Sequence, residues 1–523
     1  MKAKYLNFLF AVLILISLFL KIVPTTGYNF PFTIDQARDM LAIRRMAVGL
    51  QPALVGPTTS INGVFLGPFW YYFNLPAFIL SGGSPAALVY WQILWYHLAA
   101  IIFYLFTYKK TKIFALVFPA LFLFVPSFFY ATRYSWNANA MPIFTLIYLV
   151  TLVETLIKPT RAKLFILGLI SGLSFQIEAA FAILFFPFSL LTLTLKKVQP
   201  FWKSILWLTA GFAITLIPQL LFELRHNFLI TKVFIGELTG QSDILGQKLN
   251  FSKRLADRIN SYQGLLYGTL RLPQIYTKII FLLSGAISTA LLFTKKITSR
   301  QKLYTLVSLG FIILSFLFYL LYPNKLKGWF ITGMAVFYIV PISIFISHLI
   351  NQKSKLLKIT ILIALLFTIY LQAKVEYDHL PRANQEQSTD RSQLKNELAV
   401  IDWVYKEANG RPFKSYNYLP SIYDFPYQYL YWWYGAKKYN YHPDTVSYAD
   451  GIPEYIVDNT RYWTKKKVVT EAYYPIFLIM EENPEHIEYL HAWRGNFTHL
   501  CSQKVKEFPF TASAELLRPC QKK

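Results

Sequence analysis

The N-terminal stretch MKAKYLNFLFAVLILISLFLKIVP (residues 1–24), followed by TIDQARDM (residues 33–40), decides the fold class. It opens with Lys2 and Lys4, continues as the apolar run Tyr5–Leu20, and then reaches an acidic motif. A run of about 20 apolar residues is long enough to cross a bilayer. Since no small-residue cleavage site follows the run, the stretch predicts an uncleaved first transmembrane helix rather than a removed signal peptide.

Composition and charge extend this reading to the whole chain. Of its 523 residues, 55% are apolar and only 15% are charged, which is typical of a membrane protein. The net charge of +25 comes entirely from residues 1–373, which contain 33 basic and 8 acidic residues. Residues 374–523 contain 19 of each. Cytoplasmic loops of membrane proteins collect Lys and Arg, so the surplus indicates topology rather than nucleic-acid binding.

Dense basic clusters separate the apolar runs and predict the topology. They lie at residues 109–112, 158–163, 196–203, 295–302 and 353–358. With all five on the cytoplasmic side together with the N-terminus, the chain forms 11 spans in the plasma membrane and its C-terminal part lies outside. The predicted spans are approximately 5–24, 86–107, 113–130, 138–157, 164–176, 177–195, 204–222, 276–294, 303–322, 328–350 and 359–373.

Two apolar stretches depart from this regular pattern. Residues 63–80 contain Pro68 and Pro76, and their Trp70, Tyr71 and Tyr72 suit the headgroup level, so we expect a helix that lies along the outer interface without crossing. Residues 164–195 are too long for one span and short for two. They predict a tight hairpin whose tip, near Gln176 and Glu178, lies below the outer surface.

The predicted fold class is therefore an all-α polytopic membrane domain with interfacial helices, residues 1–373, and a small extracytoplasmic α+β domain, residues 374–523. In the second domain, residues 388–408 predict a helix and residues 474–480 a buried strand. The sequence leaves open whether Cys501 and Cys520, the only cysteines, form a disulfide.

The acidic motif in the first outer loop is the candidate catalytic feature. Asp35 and Asp39 are four residues apart, so a helix would place both carboxylates on one face, and Thr33 is suited to begin that helix. A carboxylate in this position can accept a proton from an acceptor hydroxyl. The structural alternative is a solvated helix in which Arg38 balances the two acids.

With a basic N-terminus, one span and then an acidic motif in the first outer loop, the chain resembles the GT-C membrane glycosyltransferases, in particular the family 39 branch of protein O-mannosyltransferases and lipid A aminoarabinose transferases. The resemblance implies a helical membrane body, a sugar donor linked to polyprenyl phosphate, and transfer to a lipid, glycan or protein acceptor on the outer face. The sequence contains no HExxH motif and no Cys/His cluster, and the donor phosphate is already a leaving group, so we expect no metal site and no cofactor beyond the lipid-linked donor. The stretches that carry the resemblance are residues 35–39, 56–68, 133–137, 172–176 and 222–226.

A lipid-phosphate donor needs cations near the headgroup level, and Arg suits phosphate because its planar fork binds two oxygens. The candidates on the predicted outer face are Arg38, Arg133, Arg225, His226 and Lys232. The alternative is that they contact lipid headgroups or, for Arg225, pair with Glu223.

Ionisable groups at membrane depth are expensive and are functional candidates by default. Glu178 and Glu223, with Gln176 beside the former, are therefore predicted to line a substrate cavity.

Other sequence features limit the choice of function. The stretch YWWYG at residues 431–435 is similar to the WWDYG signature of oligosaccharyltransferases, but it lacks the Asp, so it predicts an aromatic core or a stacking surface without catalysis. The competing functions are a transporter or flippase of lipid-linked sugars and a receptor-like scaffold. Inverted repeats and broken helices at mid-depth would favour the transporter.

Overall fold

A computed structural model describes residues 3–59, 61, 63–238, 248–378, 390–456 and 475–520. The chain forms two compact units. The first unit comprises Met1–Ile22, Ala53–Phe73 and Tyr90–Tyr377. The second unit comprises Val23–Pro52, Asn74–Val89 and Asp378–Lys523. Residues 23–52 and 74–89, which the sequence predicted to belong to the membrane domain, are thus part of the second unit.

Helices dominate the chain up to residue 378. They are α1 (Ala3–Ile22), α2 (Ile34–Ala47), α3 (Phe69–Ser81), α4 (Pro85–Thr107), α5 (Lys112–Leu123), α6 (Pro126–Arg133), α7 (Asn137–Ile157), α8 (Arg161–Ile177), α9 (Ala179–Ala182), α10 (Phe185–Leu195), α11 (Phe201–Thr215), α12 (Ile217–Arg225), α13 (Leu229–Leu238), α14 (Phe251–Leu270), α15 (Gln274–Leu292), α16 (Ser299–Leu321), α17 (Met334–Ile350) and α18 (Lys355–Asp378).

Among the described residues, six helices are long and apolar enough to cross a membrane: α1, α4, α7, α15, α16 and α18. Two bent helix pairs, α5 with α6 at 56° and α11 with α12 at 53°, are apolar enough when each pair is taken together, which gives up to eight spans if each pair crosses as one. The other three predicted spans coincide with the shorter helices α8, α9–α10 and α17. Each of the 11 predicted spans therefore coincides with a helix or a bent pair. That α8, α9–α10 and α17 also cross stays a prediction.

The stretch predicted to lie at the outer interface is helical only from Phe69. Helix α3 has 13 residues, a length of about 20 Å, whereas the hydrocarbon core is about 30 Å thick. The described residues just before it are not helical, and Thr58 and Phe65 form an isolated bridge. Pro68 explains this boundary because a proline favours extended backbone in the residue before it.

Glycines on both helices let the backbones of α8 and α11 approach closely. A Cβ atom on Gly168 would lie 2.0 Å from the carbonyl oxygen of Leu208, and one on Gly211 would lie equally close to the carbonyl of Phe165. Such close backbone approach at small residues is typical of helix pairs in membranes.

The second unit contains a five-stranded sheet in the order β2-β1-β3-β5-β4. Strand β1 is parallel to β2 and β3, and β5 is antiparallel to β3 and β4. The α+β prediction is confirmed. The strands are β1 (Lys414–Tyr418), β2 (Thr445–Ser447), β3 (Ile476–Glu481), β4 (Leu500–Phe508) and β5 (Ala512–Pro519).

Helices also occur beside this sheet in the described part of the second unit. They are α19 (Leu394–Ala408), α20 (Phe425–Leu430), α21 (Ala436–Tyr439) and α22 (Ile487–Arg494). The helix predicted for residues 388–408 begins at Leu394, six residues later than expected. The strand predicted for residues 474–480 begins at Ile476, two residues later than expected. Residues 388, 389 and 474 lie outside the described residues. Cys501 and Cys520 form a disulfide, which answers the question the sequence left open.

Candidate active site

The acidic motif lies on α2 in the second unit. Thr33 is the N-cap residue, and its backbone amide donates to the side-chain oxygen of Gln36 at 2.8 Å, as in a capping box. The helix therefore begins where the sequence predicted, and the spacing of Asp35 and Asp39 places them on one face.

Arg38 binds both carboxylates. Its Nη1 lies 3.0 Å from Asp35 Oδ1, and its Nη2 and Nε lie 2.9 and 3.0 Å from Asp39 Oδ1. The side chain of Asp35 is 31% exposed, whereas that of Asp39 is 1% exposed. The two acids are therefore in different environments, and Asp35 is the one exposed to solvent. Phosphate binding by Arg38 stays a prediction, because much of its guanidinium is engaged by these acids.

The segment before and including α2 packs against residues from the C-terminal part of the same unit. The Phe32 amide donates to the Ser392 carbonyl at 2.7 Å, and the ring of Phe32 lies 5.9 Å from that of Tyr429. The guanidinium of Arg44 lies over the Trp432 ring. The stretch YWWYG forms a π-helical turn with Trp432 buried, so part of it is an aromatic core that supports the acidic helix.

Gln176 lies at the end of α8 in the first unit, and its amide group bonds to two other elements. Its Oε1 accepts from the Phe69 amide at 3.0 Å, and its Nε2 donates to the Thr215 carbonyl. A Cβ atom on Gly67 would lie 2.2 Å from Gln176 Cγ. The side chain therefore joins the start of α3 to α8 and α11, and a substrate contact by Gln176 stays a prediction.

Glu178 marks the predicted turn of the hairpin. It is the one non-helical residue between α8 and α9, with φ −149° and ψ 94°, and it is buried. Asn137 Nδ2 donates to the Ile177 carbonyl beside it at 2.7 Å. The break between the helices falls where the sequence predicted a turn. That this break is the tip of a hairpin below the outer surface, and that Glu178 binds substrate, both stay predictions.

Glu223 stabilises the start of α13. Its carboxylate accepts from the amides of Ile230 and Thr231 at 2.9 and 3.0 Å and from the Thr231 hydroxyl at 2.6 Å. A carboxylate at a helix N-terminus satisfies amides that have no partner within the helix. Within the described ranges, no ion pair joins Glu223 to Arg225, so the structure does not support that alternative for Arg225.

The predicted phosphate-binding cations of the first unit fall into two places. Arg225 ends α12, His226 follows it with its ring stacked on Phe222 at 4.0 Å, and Lys232 lies on the first turn of α13; all three are exposed. Arg133 ends α6 and is half-buried. Three of the predicted cations thus lie on or beside the α12–α13 turn, whereas Arg133 lies at the end of another helix.

Sequence reasoning missed a buried cation near the end of α1. Lys21 is 1% exposed; its Nζ donates to the Ser17 hydroxyl at 2.8 Å and to the Leu123 carbonyl, and it lies 4.0 Å from the centre of the Phe129 ring. It therefore holds the end of α5, at the break before α6. A lysine inside an apolar run is a signal that could have identified it.

No group of three or more His, Cys, Asp or Glu side chains suited to a metal occurs among the described residues. The expectation of metal-independent chemistry stays a prediction.

Comparison with solved structures finds a similar fold in ArnT from Cupriavidus metallidurans, crystallised with undecaprenyl phosphate. The match has a TM-score of 0.59 and 11% identity and covers 99% of this chain and 98% of that one. Two structures of an oligosaccharyltransferase from Archaeoglobus fulgidus, one with zinc and sulfate and one with an inhibitory peptide and dolichol phosphate, match at 15% identity with TM-scores of 0.49 and 0.48.

These matches to the archaeal enzyme cover 85% and 77% of this chain, which spans only 62% and 58% of their length. No protein-family model and no curated sequence matches the chain. The chain is a multi-pass membrane protein with the fold of the GT-C membrane glycosyltransferases. Its placement in family 39 stays an expectation.

Proposed function

We propose that the chain is a membrane glycosyltransferase that moves a sugar from a polyprenyl-phosphate donor to an acceptor hydroxyl. The observation that carries the proposal is that Asp35 is partly exposed and held by Arg38, in a chain whose fold matches ArnT over 99% of its length. The undecaprenyl phosphate in the ArnT structure supports the donor class. Fold similarity alone does not define a reaction, so the residues of the site must supply the chemistry.

The reaction we propose is a direct displacement that inverts the anomeric carbon. Asp35 accepts the proton of the acceptor hydroxyl, and the hydroxyl oxygen forms a bond to the anomeric carbon. The bond between that carbon and the phosphate oxygen breaks, and the electron pair leaves with polyprenyl phosphate. No oxidant or reductant takes part.

Asp39 and Arg38 orient the base in this mechanism. Asp39 is buried and binds two nitrogens of Arg38, which leaves Nη1 of Arg38 directed at Asp35. Asp39 therefore acts on the reaction through Arg38, as a positioning residue.

The departing polyprenyl phosphate is negatively charged, so nearby cations are needed to stabilise it. We assign this role to Arg225, His226 and Lys232 at the α12–α13 turn, with Arg133 and Arg38 as further candidates. Charge-assisted bonds from arginine to phosphate are among the stronger hydrogen bonds in proteins. Gln176, Glu178 and Glu223 remain candidates for the walls of the cavity.

The orientation that we propose follows from the basic clusters. The N-terminus is cytoplasmic, and the second unit lies outside the plasma membrane. Cysteines introduced at Lys110 and at Glu488, both exposed, test it with an impermeant thiol reagent in intact cells. Labelling at position 110, or protection at 488, would contradict the orientation.

The two bent helix pairs favour a second candidate, a transporter of lipid-linked sugars. Discontinuous helices often form substrate sites in transporters. A transporter moves the intact lipid-linked sugar across the membrane and releases no polyprenyl phosphate.

The deciding experiment measures single-turnover release of polyprenyl phosphate from a labelled donor by protein in liposomes. Asp35→Asn keeps the shape and removes the basicity, so transfer should fall by about 10²–10⁴-fold while donor binding persists. Glu488→Gln, at an exposed site, is the matched control and should turn over normally. Full activity of Asp35→Asn would remove it as the base, and donor movement without release would favour the transporter.

A further inference from the structure

The loop between α16 and α17 carries two lysines, Lys325 and Lys327, which have no role in the mechanism proposed above. It is predicted to lie on the outer side, because the basic clusters at residues 295–302 and 353–358 flank the two helices. Lys325 is exposed, whereas Lys327 is half-buried with its Nζ 5.2 Å from the centre of the Trp329 ring. Within the described ranges, the Lys327 ammonium has no hydrogen-bond acceptor and no ion pair. Its three N–H groups therefore remain available to a ligand.

Helix α14 fixes the backbone of this loop. Arg258 is fully buried, and its Nη2 donates to the carbonyl oxygens of Tyr322 and Asn324 at 2.7 and 2.6 Å. The adjacent Asp257 accepts from the Leu326 amide at 3.0 Å. A buried guanidinium needs acceptors for its donors, and here the loop backbone supplies them. The loop is therefore held immediately before its half-buried lysine, without use of that lysine's side chain.

The same loop is tied to the helix break at Glu178. The Tyr319 hydroxyl lies 2.8 Å from the Ala180 carbonyl oxygen and 3.1 Å from the Phe330 carbonyl oxygen. Ala180 follows Glu178 by two residues, and Phe330 follows Trp329 directly. One hydroxyl at the end of α16 thus connects the backbone beside the indole with the backbone beside the buried acid.

The Trp329 ring also contacts the start of α7. It lies 5.8 Å from the ring of Trp136, at an interplanar angle of 65°. Trp136 precedes α7 and lies three residues after Arg133, one of the predicted phosphate-binding cations. The indole that faces Lys327 therefore belongs to the part of the first unit that also contains Arg133 and the break at Glu178.

Lysine and tryptophan are common at membrane interfaces, where flexible lysine side chains extend toward lipid headgroups. Lys325 fits that description, since it is exposed. Lys327 differs because its ammonium faces an indole, a contact that contributes about 0.5–2 kcal/mol and favours one side-chain position. A charge that is already in place loses less entropy when a ligand binds. Lys327 is thus suited to bind one specific anion.

We propose that Lys327 binds the phosphate of a polyprenyl phosphate, and that Trp329 is a positioning residue that holds the ammonium for it. A lysine ammonium is a compact charge that binds phosphate oxygens through its N–H groups. In the transfer proposed above, Lys327 stabilises the charge that the leaving phosphate gains. That the lipid is the glycosyl donor rests on the proposed function; that Lys327 binds its phosphate does not.

The test titrates full-length protein in a neutral detergent with undecaprenyl phosphate and measures the bound fraction by native mass spectrometry. Undecaprenol, which lacks the phosphate, and phosphatidylglycerol, an anionic phospholipid, are the comparison lipids. We expect the wild type to bind undecaprenyl phosphate most tightly. Lys327→Gln should lower that affinity about tenfold, the loss of one hydrogen bond to a charged group, and leave undecaprenol binding unchanged. Lys327→Arg keeps the charge and should retain most of the affinity.

Lys325→Gln is the matched control, because it removes the same charge from the same loop at an exposed position. It should bind undecaprenyl phosphate like the wild type. An equal loss in Lys325→Gln and Lys327→Gln would overturn the proposal, since it would indicate diffuse attraction to the loop. Equal affinity of the wild type for phosphatidylglycerol and undecaprenyl phosphate would also overturn it and indicate a general headgroup site.

A double-mutant cycle tests the positioning role of Trp329. Trp329→Leu should lower the affinity for undecaprenyl phosphate about twofold to fivefold, the range of an exposed cation–π contact, and Trp329→Phe should lose less. Combined with Lys327→Gln, Trp329→Leu should cause no further loss, because Trp329 acts through Lys327. Additive losses would remove Trp329 as a positioning residue.

Release of polyprenyl phosphate from a labelled donor is measured on the same variants. A wild type that binds undecaprenyl phosphate through Lys327 but releases none from the donor would refute glycosyl transfer and leave the lipid-phosphate site intact. If the wild type turns over donor while Lys327→Gln binds undecaprenyl phosphate as tightly as the wild type, the Lys327 site alone is refuted.

Discussion

The guanidinium carbon of Arg44 lies 4.6 Å from the centre of the Trp432 ring, so a residue of the acidic helix is held by an aromatic residue almost 400 positions later in the chain. A buried cation over an indole face is attracted by the electron density of the ring. Trp432 is in turn stacked parallel to Phe78 at 6.4 Å. The position of α2, and with it Asp35, therefore depends on packing with the C-terminal part of the second unit.

The first prediction concerns this contact. Arg44→Gln should lower the melting temperature and reduce transfer, because it removes an interaction of about 0.5–2 kcal/mol that holds α2. Arg45→Gln is the matched control, since Arg45 is the exposed neighbour on the same helix. Thermal unfolding and single-turnover transfer measure the two effects. Equal behaviour of the two variants would contradict a supporting role for Arg44.

The second prediction concerns the donor phosphate. Arg225→Ala should weaken donor binding about tenfold to a hundredfold, since a hydrogen bond to a charged group contributes about 1.5–3 kcal/mol. The measurement is equilibrium binding of a polyprenyl-phosphate sugar. Arg161→Ala is the control, because Arg161 is also exposed but lies at the start of α8 in a cluster predicted to be cytoplasmic. Unchanged donor affinity in Arg225→Ala would exclude Arg225 from the donor site.

The third prediction concerns the contact between Gly67 and Gln176. Gly67→Ala should reduce stability and the yield of folded protein, because its Cβ would lie 2.2 Å from Gln176 Cγ and 2.5 Å from its amide oxygen. Gly264→Ala is the control: no atom lies within 4 Å of the new Cβ there, and alanine favours the helix. Size-exclusion profiles and thermal unfolding distinguish the two. A fully stable Gly67→Ala would mean that the contact relaxes easily.

The fourth prediction concerns pH and the second unit. Burial raises the pKa of Glu397 well above its usual value near 4.5, and the nearby carboxylates of Glu481 and Asp390 raise it further. Folded protein therefore keeps a proton that the unfolded chain releases above about pH 4.5. Since the folded state binds more protons, the free energy of unfolding should fall as pH rises above that value.

Glu397→Gln replaces the protonated carboxyl with a neutral group of similar shape, so the decrease in melting temperature between pH 5 and pH 8 should become smaller. Some decrease should persist, because burial also raises the pKa of Glu481. Glu488→Gln, at an exposed site, should keep the wild-type slope. An identical slope in wild type and Glu397→Gln would show that Glu397 does not titrate in this way.

The basic clusters and the apolar runs predicted where the helices lie, since both depend on residues close together in sequence. The prediction was less accurate for the outer segments. It gave no helix for residues 251–270, because α14 is amphipathic rather than apolar and carries charges such as Asp257 and Arg258. It also began the helix of residues 63–80 too early. The helix begins only at Phe69, because Pro68 disfavours helical backbone in the residue before it.

The sequence by itself determined the membrane fold class, the helix that carries Asp35 and Asp39, and the helix break at Glu178. Hydropathy, capping and i, i+4 spacing act over a few residues and can be read along the chain. Only the tertiary structure decided that Arg38 binds both acids, that Glu223 caps α13, and that Tyr28 faces Trp433. The last of these contacts joins residues more than 400 positions apart, and the others depend on which side-chain rotamers the surrounding packing permits.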